Sequence, residues 1–146
     1  MKAVLDHLVV AARTLDEGVT WAQDTLGVTP APGGAHALFG THNRLLRLDG
    51  GNRRYLEIIA LDPAATPTRA APLRRWFDLD DPALQARLGT EGPQLVHWVA
   101  RVDDIEEARQ SLAAHGIDRG SVLQATRPTP QGMLRWQITV RDDGQR

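Results

Sequence analysis

The chain is predicted to fold as an α+β domain assembled from two related halves, and three observations carry that expectation. Apolar, partly β-branched segments alternate with two capped helical segments. Each half runs strand, helix, strand, strand. Equivalent residues also recur at a near-constant offset: His7 to His97, Leu15 to Ile105, Glu17 to Glu107 and Ala22 to Leu112 are each 90 positions apart, Gly27 to Gly116 is 89 and Gly40 to Gly132 is 92. The chain therefore reads as one domain, 1–146, with a first module at 1–62, a connection with short helices at 63–93 and a second module at 94–146.

Ala3 to Ala12 (AVLDHLVVAA) is an almost continuous apolar run, which suits a strand covered on both faces. Thr14 and Glu17 form a capping box, so a helix starts there; Leu15, Val19, Ala22 and Leu26 follow at helical spacing, and Gly27 is placed to end it. Pro30, Pro32, Gly33 and Gly34 break the pattern. Two strands are expected at Thr41 to Leu48 and Arg54 to Leu61, joined through a hairpin at Asp49-Gly50-Gly51-Asn52. Asp62 to Pro72 has no apolar periodicity and reads as a connection, after which Leu73, Trp76 and Phe77 are expected to pack together and Asp81-Pro82 to open a helix. Leu95 to Val102 returns to strand character. Asp104 and Glu107 repeat the capping box ahead of a helix to Gly116, and two strands, Ser121 to Arg127 and Met133 to Val140, flank the turn-rich Pro128 to Gly132.

Composition narrows the function. Seventeen basic against eighteen acidic residues leave no excess charge for a general nucleic-acid or anionic-membrane binder. No apolar run approaches the ~20 residues of a membrane span, so a soluble, cytoplasmic protein is expected, with a homodimer as the default assembly. With no cysteine, any metal must be held by His, Asp or Glu. No phosphate-binding loop or serine-nucleophile elbow occurs.

His7 and His97 hold equivalent places in the first strand of each half, and imidazoles suit Zn, Ni, Fe or Mn. An isolated strand histidine is otherwise an ordinary core residue. Glu57, within Tyr55-Leu56-Glu57-Ile58-Ile59, lies in a strand so apolar that its carboxylate needs a strong partner, either a metal or an arginine such as Arg47 or Arg54.

Leu5-Asp6-His7-Leu8-Val9-Val10, the segment Gly40-Thr41-His42-Asn43-Arg44-Leu45-Leu46, Tyr55 to Ile59, Val96-His97-Trp98-Val99 and Arg127 to Trp136 together resemble the glyoxalase-like branch of the vicinal oxygen chelate superfamily. The resemblance implies two βαβββ modules joined edge to edge into a cup, helices outside. It further implies a divalent metal (Zn, Ni, Fe or Mn) held in the cup by His7, Glu57 and His97, whose donor atoms should then lie within about 5 Å of one another. Thr41, His42 and Asn43 open a strand near the implied cup, as substrate contacts or as turn chemistry. Arg127 is a candidate partner for an anionic substrate group, with a surface salt bridge as the alternative, and Trp136 a candidate aromatic wall or core residue. His36 is undecided, and His115 suits a helix C-terminus. The implied activity is a metal-dependent lyase or isomerase acting on a small oxygen-bearing molecule, with Glu57 as candidate base. The alternatives are a non-heme Fe(II) dioxygenase and a protein that sequesters a small molecule. Adding the offset to Glu57 gives 147 to 149, beyond Arg146, so a second module without its last strand is expected.

Overall fold

The computed structural model describes residues 2–48 and 53–144. The predicted hairpin turn at 49–52 lies outside the described residues. The elements are β1 (Ala3–Ala11), α1 (Leu15–Leu26), β2 (Ala31–His36), β3 (Thr41–Arg47), β4 (Tyr55–Leu61), a single 3-10 turn (Trp76–Asp78), α2 (Pro82–Glu91), β5 (Gln94–Val102), α3 (Ile105–Ala114), β6 (Ser121–Thr129) and β7 (Gly132–Val140).

Five strands form a mixed sheet in the order β2-β3-β4-β1-β5, and β6-β7 form a separate two-stranded sheet. β1 runs parallel to β4 and antiparallel to β5, so the first strands of the two halves are neighbours, as the duplication requires. The α+β class and the curved mixed sheet agree with the sequence reading. Among the described residues, the outer edge of β5 pairs with no strand.

Two apolar layers sandwich β1 and β4. On one face Val9, Ala11 and Ile59 pack with Phe39, Trp76, Phe77, Leu79 and Val140, and the hairpin adds Leu123, Trp136 and Ile138. On the other, Val10, Ala12, Leu56 and Ile58 meet Ala22 of α1. The hairpin therefore leans over the inner face of the sheet and makes it a cup, while α1 lies outside.

Both predicted N-caps form: Thr14 Oγ1 accepts from the Glu17 N–H at 3.2 Å, and Asp104 Oδ1 from the Glu107 N–H at 2.9 Å. Gly27 ends α1 at φ 70°. The buried stripe of α1 differs from the expected one. Gly18 and Ala22 are its buried residues, flanked by Leu15 and Trp21, whereas Leu26 is exposed. A Cβ at position 18 would stand 2.4 Å from the Ile58 side chain, so the missing side chain draws that stripe onto the sheet.

A second difference matters more. The Pro30 to Gly34 region, read as a break, contains β2, an edge strand. Proline is tolerated at an edge, and the two glycines form an irregularity where Pro32 pairs with Arg44 but Ala35 with His42. The connection is tied down by buried Arg69, whose guanidinium donates to the Arg74 carbonyl at 3.0 Å and to Asp142 beyond β7 at 2.8 Å.

Candidate functional site

Side chains alternate between faces along a strand. His7 on β1, Thr41 and Asn43 on β3 and Glu57 on β4 all point into the cup, where His36 of β2 joins them. All five are buried, Glu57 at 3% exposure and Thr41 at 0%. His42, between Thr41 and Asn43, alternates to the outer face with Leu46, which packs against the α1 layer. The expectation that His42 joins the site is corrected by this parity.

The cluster is held by a chain of hydrogen bonds that fixes the orientation of each polar group. The Gly34 N–H donates to Asn43 Oδ1 at 2.8 Å, which forces the Asn43 amide nitrogen toward Glu57, where it donates to Oε1 at 2.6 Å. That nitrogen also lies 3.4 Å from His36 Nε2, and His36 Nδ1 lies 3.1 Å from Thr41 Oγ1. His36 is thus arranged as a neutral imidazole, accepting at Nε2 and donating at Nδ1. Glu57 Oε2 lies 3.5 Å from His7 Nε2, and His7 Nδ1 lies 2.8 Å from Asp6 Oδ1.

Asp6 precedes His7 and should face the other way. A bulge corrects this: Leu5 pairs with Ala100 and His7 with Val99, leaving Asp6 as the extra residue. Its other oxygen is 3.2 Å from the guanidinium of Arg101. The ring of Tyr55, opposite His7 in the β1–β4 register, stacks on the imidazole at 4.4 Å.

These contacts set the charges. Burial works against a charge on His7, but the hydrogen bonds and charges of Asp6 and Glu57 outweigh it and hold its pKa up at about 8. Burial likewise opposes ionisation of Glu57, but the His7 hydrogen bond and charge and the Asn43 hydrogen bond keep it below the ordinary carboxylate range. Burial pushes His36 down to about 4; Glu57 pulls the other way, and the charge of Arg127 adds to the depression. Near neutral pH the centre is an imidazolium–carboxylate pair beside a neutral histidine.

A pH profile of stability follows. The His7 value is raised, so its stabilisation, about 2 kcal/mol, is complete below pH 6.5 and is lost as pH rises through 8. The His36 value is depressed, so its contribution, about 3 kcal/mol, is present above 6.5 and is lost as pH falls toward 4, where protonation of Glu57 adds to the loss. Denaturant midpoints measured from pH 4 to pH 9 should therefore peak near pH 6.5 to 7, and His7→Gln should flatten the alkaline side and also alter the acid limb, because His7 helps hold the Glu57 pKa down.

His97 is in a different setting. It lies opposite Val9 and so on the cup face, but its ring packs at 5.3 Å from that of Phe77. Val96 is an extra residue where Val9 pairs with His97 and Val10 with Leu95, a bulge 90 residues on from that at Asp6, and the pairings of His7 with Val99 and of Val9 with His97 keep the two histidines in equivalent register. Burial and the charge of Arg119 depress its pKa. Two of the three expected metal donors, His7 and Glu57, adjoin; the third does not join them. Among the described residues no group of three or more His, Asp or Glu side chains is arranged to hold a metal ion. The residues present thus do not fit the divalent metal implied by the resemblance.

Arg127 and Trp136, both on the inner face of the hairpin, approach the cluster from the opposite wall. The Trp136 ring stands edge-on to His36 at 6.2 Å, and Trp76 does the same at 4.9 Å. The role of Trp76 and the place of His36 were not legible because one sits in an aperiodic connection and the other on an unrecognised strand. The sole signal was parity: once β2 is admitted, His36 pairs with Thr41 and faces the cup with it. His115 caps its helix by contacting the Ser111 carbonyl at 2.8 Å. A surface cleft of about 400 Å³ lined by Arg109, Asp118 and Arg141 lies away from this centre, whose five polar residues are buried.

The comparisons agree with this architecture. The family model for the glyoxalase-like domain matches residues 5–146. No curated protein matches the chain significantly. Among solved structures, a hypothetical protein from Staphylococcus aureus superposes with a TM-score of 0.59 at 19% identity, covering 94% of this chain and 51% of that one, so the chain spans about half its length. Methylmalonyl-CoA epimerase from Mycobacterium tuberculosis gives 0.51 at 18% identity, covering 91% and 77%. A variant Streptomyces coelicolor methylmalonyl-CoA epimerase in complex with 2-nitronate-propionyl-CoA gives 0.52 at 16%, covering 92% and 83%. At such identities the likeness bears on the fold, while the family match covers nearly every residue. The chain belongs to the glyoxalase-like domain family of the vicinal oxygen chelate superfamily.

Proposed function

We propose that this protein is a glyoxalase-type lyase or isomerase that moves a proton at a carbon next to an oxygen-bearing group of a small substrate. One observation carries the reading: a fully buried carboxylate, Glu57, is fixed by Asn43 at 2.6 Å and set beside an imidazolium, His7, at 3.5 Å on the inner wall of the cup. A buried, oriented pair of titratable groups in opposite charge states is the equipment of proton transfer.

Glu57 accepts the proton from carbon. His7, kept protonated and aimed by Asp6, turns its Nε2–H from Glu57 to the neighbouring oxygen as negative charge gathers there, in a site dry enough to strengthen that contact. Return of the proton to the other face or carbon completes an isomerisation; expulsion of a leaving group completes a lyase reaction. The dioxygenase reading requires two histidines and a carboxylate on one ion, a grouping not found among the described residues. Sequestration without turnover uses the same contacts and is the competing reading.

The test is proton exchange in heavy water. A panel of small 2-oxo and 2-hydroxy carbonyl compounds, with methylmalonyl-CoA included because structural neighbours are epimerases of that compound, is followed by proton NMR. Protein-dependent loss of the α-proton signal, with an alkaline limb near the His7 pKa of about 8, is the expected result. Saturable binding without exchange across the panel establishes sequestration instead.

A further inference from the structure

Two buried donors in the cup have no hydrogen-bond partner among the described residues: Nη1 of Arg127 and Nε1 of Trp76. Such atoms are rare in folded proteins, because an unmade hydrogen bond in the interior leaves the full desolvation cost in place. Their setting makes them informative. Trp76 is 4% exposed and meets His36 edge-on, while Arg127 extends from β6 across the cup to β2. A Cβ on Gly34 would lie 2.5 Å from Arg127 Nη1, so the guanidinium occupies space that only glycine leaves open.

The charges around them do not balance. Asp6 is met by Arg101 and His7, and Glu57 by His7 and Asn43. Arg127 makes no ion pair among the described residues, and His36, whose pKa its charge depresses, is arranged as a neutral ring. One positive charge, two unpaired donors and flanking indoles remain on the wall opposite the proton-transfer pair.

We infer that Arg127 and Trp76 bind the carboxylate of the substrate, so that the molecule turned over is a small carboxylic acid whose reacting carbon is presented to Glu57. A carboxylate supplies one charge and two acceptor oxygens, matching one guanidinium and one further donor. A phosphate would bring a second charge and further oxygens into a wall of Trp76, Trp136 and Phe39. Gly34 acts as a positioning residue by leaving room for the guanidinium. The inference rests on the cup being the reaction site.

The indole N–H resonances of Trp21, Trp76, Trp98 and Trp136 give the readout, with Trp76 assigned through Trp76→Phe. Acetate, lactate, pyruvate, malonate and succinate, their amides, and inorganic phosphate are titrated into the intact protein. At least one acid should shift the Trp76 signal saturably below about 50 mM, with its amide and phosphate at least tenfold weaker. Arg127→Gln should weaken that acid roughly 10- to 100-fold and Arg127→Lys less, as expected when a charged hydrogen bond is removed or remodelled. Gly34→Ala should weaken it without changing any charge, and unchanged Trp21 and Trp98 signals show that each variant is folded. An amide or phosphate that binds as tightly as the acid, an Arg127→Gln variant of undiminished affinity, or no saturable shift with any acid overturns the inference. Exchange on neutral carbonyl compounds as fast as on acids removes this inference and leaves the proton-transfer reading standing. Carboxylate binding without any exchange does the reverse.

Discussion

Glu57→Gln is expected to slow α-proton exchange by roughly 10²- to 10⁴-fold, the range in which a positioned general base contributes. The amide is isosteric, and its oxygen still accepts from Asn43, so the fold should survive. What it cannot do is take a proton or balance the charge on His7. With Asp6 as its remaining counter-ion, His7 takes a lower pKa, which limits the structural cost. The variant should therefore lose part of the roughly 2 kcal/mol that His7 contributes at pH 6, and almost nothing at pH 9, where His7 is neutral. Exchange rates within tenfold of wild type would remove Glu57 as the base. A stability loss equal at both pH values would show that it serves the core and not the ion pair.

Gly33→Ala is expected to lower the melting temperature by about 6 to 12 °C, corresponding to roughly 3 kcal/mol in a domain of this size. A Cβ at position 33 would stand 2.0 Å from Asn43 Oδ1, 2.5 Å from the Asn43 carbonyl oxygen and 2.9 Å from its carbon. Side-chain rotation cannot relieve contacts with backbone, so β2 must move away from β3 or Asn43 must be displaced. Either movement frees the carboxylate of Glu57 from its shortest donor. Gly27→Ala is the matched control: its φ is 70° but nothing lies within 4 Å, so only the conformational penalty of about 1 kcal/mol applies. Equal losses in the two variants would refute the steric account. Gly33→Ala should also shift the alkaline limb of the stability profile, because His7 draws its raised pKa partly from a fixed Glu57.

The sequence exposes His7 and Glu57 because a polar residue in a run as apolar as LVVAA or YLEIIA is conspicuous, and burial costs it dearly unless it is partnered. Identifying that partner requires the fold. Asp6 is adjacent to His7 in sequence, and strand alternation sends it to the opposite face; only a bulge brings it back. The bulge recurs 90 residues on at Val96, and His97 keeps the register its offset from His7 signals, but its ring rests on Phe77, a contact that comes from the connection between the halves. Proline and glycine concealed β2, and with it His36, because their strand role depends on an edge position that no local pattern announces. Trp76 comes from a connection without periodicity, so its place over His36 is set by packing at long range. Periodicity and caps were sufficient for the class, the order of elements and the relation between the halves. Bulges, which change facing by one residue, were not legible.

Among the described residues the β6–β7 hairpin shares no strand pairing with the five-stranded sheet; what joins its strands to the cup is side-chain packing through Leu123, Trp136, Ile138 and Val140 and the approach of Arg127 to Gly34. Opening it breaks no inter-sheet ladder, so it can detach as a local unit well below the free energy of global unfolding, whereas β1, paired on both sides, can release its amides only when the domain unfolds. In amide hydrogen exchange, protection should then fall into two tiers, with β6 and β7 in the lower one. A molecule bridging Arg127 on the hairpin to Glu57 on the sheet ties the tiers together. Its binding energy appears as slowed exchange at amides it never touches.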